Sequence, residues 1–598
     1  MRTSCCNASH YLDALTRHSP RQFVARLWNR GAWRWHTRPL ATAAGRTRGA
    51  SGVACAELCR LASAATAAAA ELHSRPGLLH VWHAPRAVPA RDVEDQHNYQ
   101  RFRLVARALA RRYLIYNDRA SLDRLQVRLR SWMSGHDQFV ERSMEPMNIS
   151  LRLREWLWVL LLLWNRLPLG TRDGVVSSMR RQKARLNRHV EYEVPGNHPI
   201  VNLFAIWMVE AFLESGAGSK RSRAVARRLE TEAVNSFLPD HFHIELSTHY
   251  HLQMVRVLTE YVWLSAMIGN SVAPEFSDSL RKWTTVLFEV MLPDGRFPLI
   301  GDHCHSLFEE SAAADVATVR ALGGQGPETE SSFWLKRLTH ASRQVSATSP
   351  CERVRRVHLF EDAGYLVARD TPSPTPSVCW FDLGPLGFIR NPGHGHSDCL
   401  SILLYLRGAP FLIDPGVDRY DDQPDFLWFK TTAAHNTIGL AHHEPTEPWR
   451  FFRWTAMPPI PRRFFEERST GFVAQGTFDG YLATARAEVT RRCAVDWSKR
   501  MIVIDEVRFL DVERDSLRVR WHLDPDWTLS LKGPGTVVAS NGDDRVLVTI
   551  RARSSLRTEM RREPVARDYA STVPGPVLVG TVDRPGTLER IVSTFDWS

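Results

Sequence analysis

The spacing of apolar residues changes once along the chain, and this change limits the folds that the sequence can adopt. In the first part, apolar residues recur at three- and four-residue spacing, as in Leu151–Leu163 and Met254–Met267, which is typical of helices packed into a core. Later segments such as Leu400–Leu406 and Val546–Ile550 are alternating or rich in β-branched residues, with Gly, Pro and Asp turns between them. Helices followed by strands predict two domains, with a boundary near residues 340–355.

The two parts predict different architectures. Residues 91–345 form a long run of helices without a fixed-period repeat, which predicts a helical toroid or solenoid. Residues 350–598 predict a large antiparallel β-sandwich. Residues 1–90 are expected to be a basic N-terminal extension and linker, because the first 50 residues carry nine Arg and one acidic residue. Within them, Gly45–Ala70 resembles a linker or a weak helix. The basic segment either lies on an anionic surface or is an extension without that role.

Charge and composition limit the possible partners. The formal net charge of +12 favours an anionic partner, which leaves nucleic acid, an anionic membrane surface and an acidic glycan. We find no recognisable nucleic-acid-binding module. The longest apolar run, Trp156–Trp164, has nine residues, whereas a membrane-spanning helix needs about 20, so no transmembrane segment is expected. The nine cysteines include no CxxC pair, which disfavours a thiolate zinc site and a disulfide framework.

The strongest local motif lies early in the strand-rich part. It reads Pro392-Gly393-His394-Gly395-His396-Ser397-Asp398, and Asp414 and His435 follow on later segments. Two imidazoles and a carboxylate on neighbouring strands and loops form a three-ligand shell that suits zinc, with His396, Asp414 and His435 as ligands. The glycines beside His394 predict an irregular loop in which His394 and His396 point apart and have different roles. The alternative is a set of turn histidines hydrogen-bonded to the backbone.

Two further polar clusters lie in the helical part. Asn197-His198 follows a Pro-Gly pair, which suits the start of a helix with polar side chains at its end. The histidine-rich segment His241–His251 opens a later helix. Either Ser247 or Thr248 is its predicted N-cap residue, which places Tyr250 in the first helical turn. The alternative is that these are solvated histidines at a helix end, without a function.

Taken together and in this order, the clusters resemble the heparinase II/III family of polysaccharide lyases. The residues that carry the resemblance are Asn197-His198-Pro-Ile-Val-Asn202, His243-x-Glu245-x-Ser247-x-x-Tyr250-His251, Pro293-Asp-Gly295 with Gly301-Asp302, His394-x-His396-x-Asp398, Asp414-x-Gly416 and Ala434-His435-Asn436-Thr437. The resemblance covers roughly residues 90 to 510, and its more specific portion is His394–Thr437. It implies an incomplete (α/α) toroid followed by an antiparallel β-sandwich, the order that the apolar spacing predicts independently.

The resemblance also implies an activity and a role for each matched residue. Members of the family cleave acidic polysaccharides by β-elimination. Asn197 and His198 match the positions that neutralise the uronate carboxylate at the cleavage site. Tyr250 matches the catalytic acid, which in some members is also the base. His394 matches the histidine that faces the substrate and can take the C5 proton.

Further matched positions concern a metal and the substrate. His396, Asp414 and His435 match the family's ligands to a structural zinc, which holds sandwich strands in place. Three additional candidates for substrate contact are His243, Glu245 and Tyr420, although Tyr420 equally suits a packed loop. Met254 stands where some members that bind sulfated substrates carry an Arg, so an unsulfated uronate polymer is expected over a sulfated one.

Two other functions remain open from the sequence. A glycoside hydrolase on the same toroid would need two well-placed carboxylates, for which Glu245, Asp294 and Asp302 are available. A non-catalytic glycan-binding or exopolysaccharide-assembly protein would keep the fold without turnover. The resemblance suggests the periplasm or cell envelope, yet no signal peptide is readable because arginines such as Arg17 and Arg21 interrupt the apolar stretch that one needs.

Overall fold

The helices precede the strands, as the apolar spacing predicts. The computed structural model describes residues 52–73, 102, 106–136, 141–270, 272–303, 356–370, 375–568 and 571–597. The basic first 50 residues and the predicted domain boundary near 340–355 lie outside these ranges. No described helix is both long enough and apolar enough to cross a membrane.

The helical half is built around one core. Its described helices are α1 (Gly52–His73), α2 (Ala106–Tyr116), α3 (Arg119–His136), α4 (Pro146–Leu163), α5 (Leu169–Leu186), α6 (Asn197–Val209), α7 (Lys220–Asn235), α8 (Thr248–Met267) and α9 (Pro274–Val290). A π-helical turn, Glu210–Glu214, continues α6. The predicted helices Leu151–Leu163 and Met254–Met267 lie within α4 and α8, and large side chains such as Trp156 and Trp207 are fully buried between the helices.

Helix α1 lies in the segment for which a linker and a weak helix were both expected. Leu58, Leu61 and Ala65 are fully buried and belong to the helical core. Alanine has the highest helix propensity, and leucines and alanines at three- and four-residue spacing give α1 an apolar face. Helical packing therefore begins before residue 91, in a segment for which a weak helix was one of the two expectations.

The second half is antiparallel throughout. Its strands are β1 (Val357–Phe360), β2 (Tyr365–Arg369), β3 (Val378–Asp382), β4 (Ile402–Leu406), β5 (Ala409–Leu412), β6 (Ile438–Leu440), β7 (Pro448–Arg450), β8 (Arg453–Trp454), β9 (Arg462–Arg468), β10 (Gly471–Phe478), β11 (Ala487–Asp496), β12 (Arg500–Phe509), β13 (Leu517–His522), β14 (Thr528–Gly533), β15 (Thr536–Asn541), β16 (Asp544–Ala552), β17 (Arg557–Asp568), β18 (Ser571–Val582) and β19 (Leu588–Asp596). Two four-residue helices, α10 (Pro424–Leu427) and α11 (Leu482–Ala485), interrupt them. The strands form a β-sandwich, as predicted.

The sheets have simple neighbour orders. The first sheet runs β1-β2-β3-β4-β5, and the largest runs β14-β15-β16-β19-β12-β11-β10-β9. A four-stranded sheet has the order β17-β18-β13-β6, and β7 and β8 form a separate hairpin. The first two sheets and the four-stranded sheet share one apolar core, to which Phe381, Val503 and Trp521 contribute.

The first sheet is buried on both faces. Register pairs Val367 with Trp380 and Trp380 with Leu403, so these side chains point to one face, where they join the helical core. Leu366 and Phe381 form a row on the opposite face and join the core of the sandwich. Double burial explains why strands such as β2 read as nearly continuous apolar runs. The sheet therefore fixes the helical half against the sandwich.

Hydrogen bonds also cross the interface between the helical half and the first sheet. The Tyr365 hydroxyl donates to the carbonyl oxygen of Leu246 at 2.6 Å. The Asp240 carboxylate accepts from the backbone N–H groups of Asp362 at 2.8 Å and Ala363 at 2.7 Å. These contacts hold the segment before α8 against β2 and the turn before it.

The packing of α1 gives a test of the fold. Replacing the fully buried Leu61 with Ala should lower the free energy of unfolding by about 2–5 kcal/mol, because the change removes apolar contacts and leaves a cavity. Urea denaturation of the purified protein measures the effect. Ala67→Ser, at an exposed position of the same helix, is the matched control and should change stability little. An unchanged unfolding curve for Leu61→Ala would contradict the packing of α1 into the core.

Candidate active site

The candidate site lies where the start of α8 meets the turn that carries His394. Ser247 occupies the N-cap position of α8 with extended φ and ψ of −110° and 134°, although its side chain makes no capping hydrogen bond. Tyr250 therefore lies in the first helical turn, as predicted. Just before the cap, Leu246 has a φ of 56°, in the left-handed region that side chains other than Gly rarely adopt. The Tyr365 hydroxyl bonds its carbonyl oxygen, which helps to hold this backbone shape.

Tyr250 and His394 are in direct contact. Their rings stack with centroids 3.8 Å apart and an interplanar angle of 28°. The Tyr250 hydroxyl lies 3.4 Å from the hydroxyl of Tyr420. The structure thus brings together the residues predicted as acid, base and substrate contact, although they lie on three separate segments of the chain.

His394 is oriented by two carboxylates. It closes a 3₁₀ turn, Pro392–His394, so the irregular loop expected from the glycines is present. Its Nδ1 lies 2.9 Å from Asp302 Oδ2, and its Nε2 lies 3.5 Å from Glu245 Oε2. An ionised carboxylate only accepts hydrogen bonds, so Asp302 assigns the proton to Nδ1 and leaves the lone pair on Nε2. Nε2 is the nitrogen that can accept a further proton.

Asp302 holds three donors at once. Its Oδ2 accepts from His394, and its Oδ1 accepts from His396 Nε2 at 3.0 Å and from Lys430 Nζ at 2.9 Å. Its side chain is fully buried. Burial alone would raise the pKa of Asp302, but the charge of Lys430 and the hydrogen bonds from the two histidines outweigh it and hold that pKa well below its ordinary value. Asp302 is therefore a permanent anion that connects His394 to His396.

Lys430 was not identified from the sequence. It is fully buried, and its Nζ donates to Asp302 and to the carbonyl oxygen of Gly393 at 2.8 Å. The ammonium also lies 4.4 Å from the ring centroid of Phe451. Burial lowers the pKa of Lys430, and Asp302 opposes that shift. A single Lys beside aromatic residues has no distinctive spacing, so only the fold reveals this ion pair.

Glu245 links Tyr250's segment to the start of α6. Its Oε1 accepts from the backbone N–H of Asn197 at 2.7 Å, where the helix dipole favours a negative charge. Gly196 has a φ of 104°, and a Cβ there would lie 2.0 Å from Glu245 Oε1, so the approach requires glycine. Burial raises the pKa of Glu245, with His394 opposing the shift. Glu245 thus contacts protein groups on both sides, and its predicted contact with substrate stays a prediction.

Asn197 and His198 occupy the first turn of α6, as predicted. The Asn197 side chain is buried, and its Oδ1 has no hydrogen-bond partner among the residues that the structure describes. A buried amide oxygen without a partner is costly, which is expected where a ligand supplies the missing contact. His198 is a quarter exposed, and its Nδ1 lies 3.0 Å from Glu191 Oε2. The backbone of Asn197 is connected to His394 through the Glu245 carboxylate.

The structure places His243 inside the protein, and its predicted contact with substrate stays a prediction. The side chain is fully buried and lies edge-on to Phe237. Its ring Nδ1 accepts from the backbone N–H of Glu245 at 3.4 Å, and the backbone N–H of His243 donates to His251 Nδ1 at 3.1 Å. Burial holds the pKa of His243 well below its ordinary value and lowers that of His251 to about 4. Both imidazoles are neutral supports of the segment, a role that clustering of histidines in sequence could not distinguish from binding.

The three predicted metal ligands converge in the sandwich. One candidate ligand atom from each of His396, Asp414 and His435 lies within 4.8 Å of the others, and all three residues are buried. His396 donates from Nε2 to Asp302, and its buried Nδ1 has no hydrogen-bond partner among the described residues. His435 Nδ1 lies 2.7 Å from Asp414 Oδ2, and its Nε2 likewise has no partner there.

These residues fit a metal ion. Neutral imidazoles and a carboxylate are ordinary zinc ligands, and buried ring nitrogens without partners are explained if a cation binds them. The hydrogen bond from His396 Nε2 to Asp302 is the carboxylate contact that typically orients a metal-binding histidine. The pKa of His396 is lowered to about 4 by burial, so the imidazole is neutral, as a ligand must be.

The loop of His435 is held by residues that sequence analysis did not single out. Asn436 Nδ2 donates to the carbonyl oxygens of Ile402 and Ile413, both at 2.9 Å. The fully buried Arg491 donates to the Asn436 carbonyl oxygen and pairs with Asp505 at 2.6 Å. The positions of the candidate metal ligands are therefore fixed by the sandwich framework.

Two family models match the chain. The model described as "Heparinase II/III N-terminus" matches residues 149–316, and the model "Heparinase II/III-like, C-terminal" matches residues 352–575. The N-terminal match contains Tyr250, Asn197 and Asp302, and the C-terminal match contains His394 and His396. Together the two matches cover more than half of the chain.

Individual relatives agree with these models. A heparin-sulfate lyase of Bacteroides thetaiotaomicron is 23% identical over 227 residues, which is 36% of this chain and 32% of the relative, so the match spans about a third of that relative's length. The crystal structure of heparinase III has a TM-score of 0.67 at 15% identity and covers 87% of this chain and 80% of its own. A heparan sulfate lyase of Pedobacter heparinus has a TM-score of 0.55 at 15% identity, covering 96% and 88%. The structural likenesses show a shared fold.

The metal site gives a direct prediction. We expect about one zinc per chain, bound by His396, Asp414 and His435. His396→Ala should lose the metal and melt at a lower temperature, because Asp414 and His435 would then remain buried without the cation that they bind together with His396. Metal analysis of the purified protein and thermal melting measure both effects. His442→Ala, at an exposed histidine paired with Asp515, is the control and should keep the metal.

Two results together would show that His396, Asp414 and His435 do not form a zinc site. The wild-type protein would carry no metal after purification and zinc dialysis, and chelators would not change its melting temperature.

Proposed function

Because the chain belongs to the heparinase II/III-like family, we propose that it is a polysaccharide lyase that cleaves a 4-linked, uronate-containing acidic polysaccharide by β-elimination. The observation that carries the proposal is the stack of Tyr250 on His394, with the His394 Nε2 lone pair directed away from Asp302. Relatives named as lyases of heparin sulfate and heparan sulfate support an acidic glycan substrate.

The uronate carboxylate must be neutralised before C5 can lose its proton. A charged carboxylate makes the neighbouring C–H weakly acidic, and donors directed at it stabilise the enolate-like charge of the transition state. Asn197 and His198 would supply these contacts from the start of α6. The position of Asn197 next to His198 in the first turn of α6 supports this role, because its amide Nδ2 group is a donor that suits a carboxylate.

Proton transfer would then use His394 and Tyr250. His394 Nε2 takes the C5 proton, the C5–H electron pair forms the C4–C5 double bond, and the C4–O4 bond breaks. The Tyr250 hydroxyl donates its proton to the departing O4. Asp302 keeps the His394 proton on Nδ1 and stabilises the imidazolium that forms. For substrates with C5–H and O4 on one face, Tyr250 alone would serve as base and acid.

The zinc would have a structural role in this account. Bound by His396, Asp414 and His435, it would supply a fixed cation that holds sandwich loops in place. The chain's own contribution is the hydrogen bond from His396 to Asp302, since the same carboxylate orients His394. If His396 changed position, the shared Asp302 carboxylate would also move, and the orientation of His394 would change with it.

The preference for an unsulfated substrate stays a prediction. Met254, which stands where some family members carry an Arg, is fully buried in the helical core and packs α8 against it.

The hydrolase alternative finds little support. Asp302 is fully buried and bonded to three donors, so it cannot exchange a proton with a sugar. Glu245 is buried against His394 and the start of α6. Asp294 is the remaining candidate carboxylate, whereas a hydrolase needs two that face the scissile bond.

Substituting Tyr250 tests the proposal most directly within the site. Tyr250→Phe keeps the ring stacked on His394 and removes only the hydroxyl, so the fold should survive while turnover falls by about 10²- to 10⁴-fold. The assay follows near-ultraviolet absorbance of the C4–C5 double bond on heparan sulfate, chondroitin sulfate, hyaluronan and polymannuronate. Tyr405→Phe is the matched control, because Tyr405 is as buried as Tyr250 but lies on β4, and its turnover should stay near wild type.

Three outcomes would count against the proposal. Near-normal turnover of Tyr250→Phe would remove the proton-transfer assignment. Reducing sugar released without ultraviolet absorbance would show hydrolysis. Binding without any product on the four polymers would favour the non-catalytic alternative.

A further inference from the structure

An exposed aromatic residue lies beside the proposed base. Arg450 pairs with Arg453 across the β7–β8 hairpin, so Phe451 and Phe452 form its tip. Phe451 is buried, whereas Phe452 remains 44% exposed. The Phe452 ring lies 5.5 Å from the His394 ring in an edge-to-face arrangement and 5.2 Å from the ring of Tyr420. Phe452 therefore extends the surface that Tyr250, Tyr420 and His394 form.

The tip is held firmly against the turn of His394. Trp454 Nε1 donates to the carbonyl oxygen of Pro392 at 3.1 Å, and the Phe451 N–H donates to the Asp422 carboxylate at 2.7 Å. A Cβ added to Gly393 would lie only 3.3 Å from the Phe452 carbonyl oxygen. The exposed ring is consequently a positioned group, not a loose loop side chain.

A phenylalanine that is held in place yet exposed to solvent does not gain the free energy that burial of its ring would provide. Burying such a side chain is worth about 1.5–3 kcal/mol, so an exposed ring fixed next to a candidate catalytic residue is expected to be covered by a ligand. The face of an aromatic ring is electron-rich and packs well on the C–H face of a pyranose. A sugar next to the one being cleaved presents such a face.

Charge on the same hairpin specifies what that sugar carries. Arg450 and Arg453 are both exposed and flank the tip. Neither forms an ion pair with any residue in the described ranges. Guanidinium groups bind carboxylate and sulfate groups with paired hydrogen bonds, and both groups occur on acidic glycans.

We propose that the β7–β8 tip is a binding subsite for an acidic sugar adjacent to the cleavage site, with Phe452 stacking on the pyranose and Arg450 and Arg453 binding its acidic group or that of the next sugar. The inference rests on the proposed function, because it takes the substrate to be an acidic polysaccharide. It adds a specificity-determining surface that contributes to binding and not to proton transfer.

Kinetics of tip variants test the subsite. On the polymer that the wild type cleaves, Phe452→Ala should raise KM by about tenfold, the effect of losing about 1.4 kcal/mol of binding, while kcat changes far less. Phe452→Trp should retain the wild-type KM, since it keeps an aromatic face. The matched control is Phe464→Ala, which removes an equally exposed phenylalanine from the edge strand β9 and should leave KM unchanged. An unchanged KM for Phe452→Ala would overturn the stacking role.

The arginines have their own comparison. The double variant Arg450→Gln/Arg453→Gln should raise KM and weaken its dependence on salt, because fewer ionic contacts form with the polymer. Arg508→Gln/Arg551→Gln removes the same charge from exposed strand positions of the largest sheet and serves as the control. Equal behaviour of the two double variants would show only a general charge effect and would overturn the assignment of the arginines.

Binding measurements separate this inference from the proposed function. If the wild type cleaves none of the four polymers, the proposed function fails, and calorimetric titration of the same polymers into wild type and Phe452→Ala still tests the tip. Weaker binding by Phe452→Ala would support the subsite in a binding protein. Equal affinity, or no binding by either protein, would overturn it.

Discussion

The site depends on one buried carboxylate. Asp302 follows the last described helix of the helical half, yet all its side-chain partners lie in the sandwich half: His394, His396 and Lys430. Burying a charge is costly unless it is paired and hydrogen-bonded, and here three donors meet that requirement. The same arrangement orients the proposed base, orients a proposed metal ligand and joins the two halves of the chain. Loss of the charge would leave Lys430 buried without its counter-ion.

The first sheet makes such a contact possible. Because it is buried on both faces, the helical half and the sandwich cannot shift without breaking one of two cores. Tyr365 on β2 also binds the carbonyl oxygen just before α8. Tyr250 at the start of α8 and His394 in the sandwich are thus held in register by packing that takes no part in the chemistry. Preorganisation of this kind is what a site for proton transfer requires.

The sequence predicted features that depend on local pattern. Apolar spacing predicted helices before strands, and the glycines beside His394 predicted a turn in which the two imidazoles take different roles. The contacts of Asp302, Lys430 and Phe452 could not be predicted, because they join segments that lie far apart in the chain. Lys430 lies 128 residues from Asp302 in the chain. The full burial of His243 could not be predicted either, since histidine spacing along the chain does not show which imidazoles lie inside the fold.

We infer that Asp302 orients the proposed base as well as stabilising the fold. The decisive measurement is kcat of the double variant Asp302→Asn/Lys430→Met, which removes both buried charges and so avoids an unpaired ammonium. We expect the double variant to melt at a temperature above that of Asp302→Asn alone and close to that of the wild type. Its kcat should remain about 10²-fold or more below the wild-type value, and its KM should change little. A double variant that regains wild-type kcat along with stability would contradict the account, because Asp302 would then serve the fold alone.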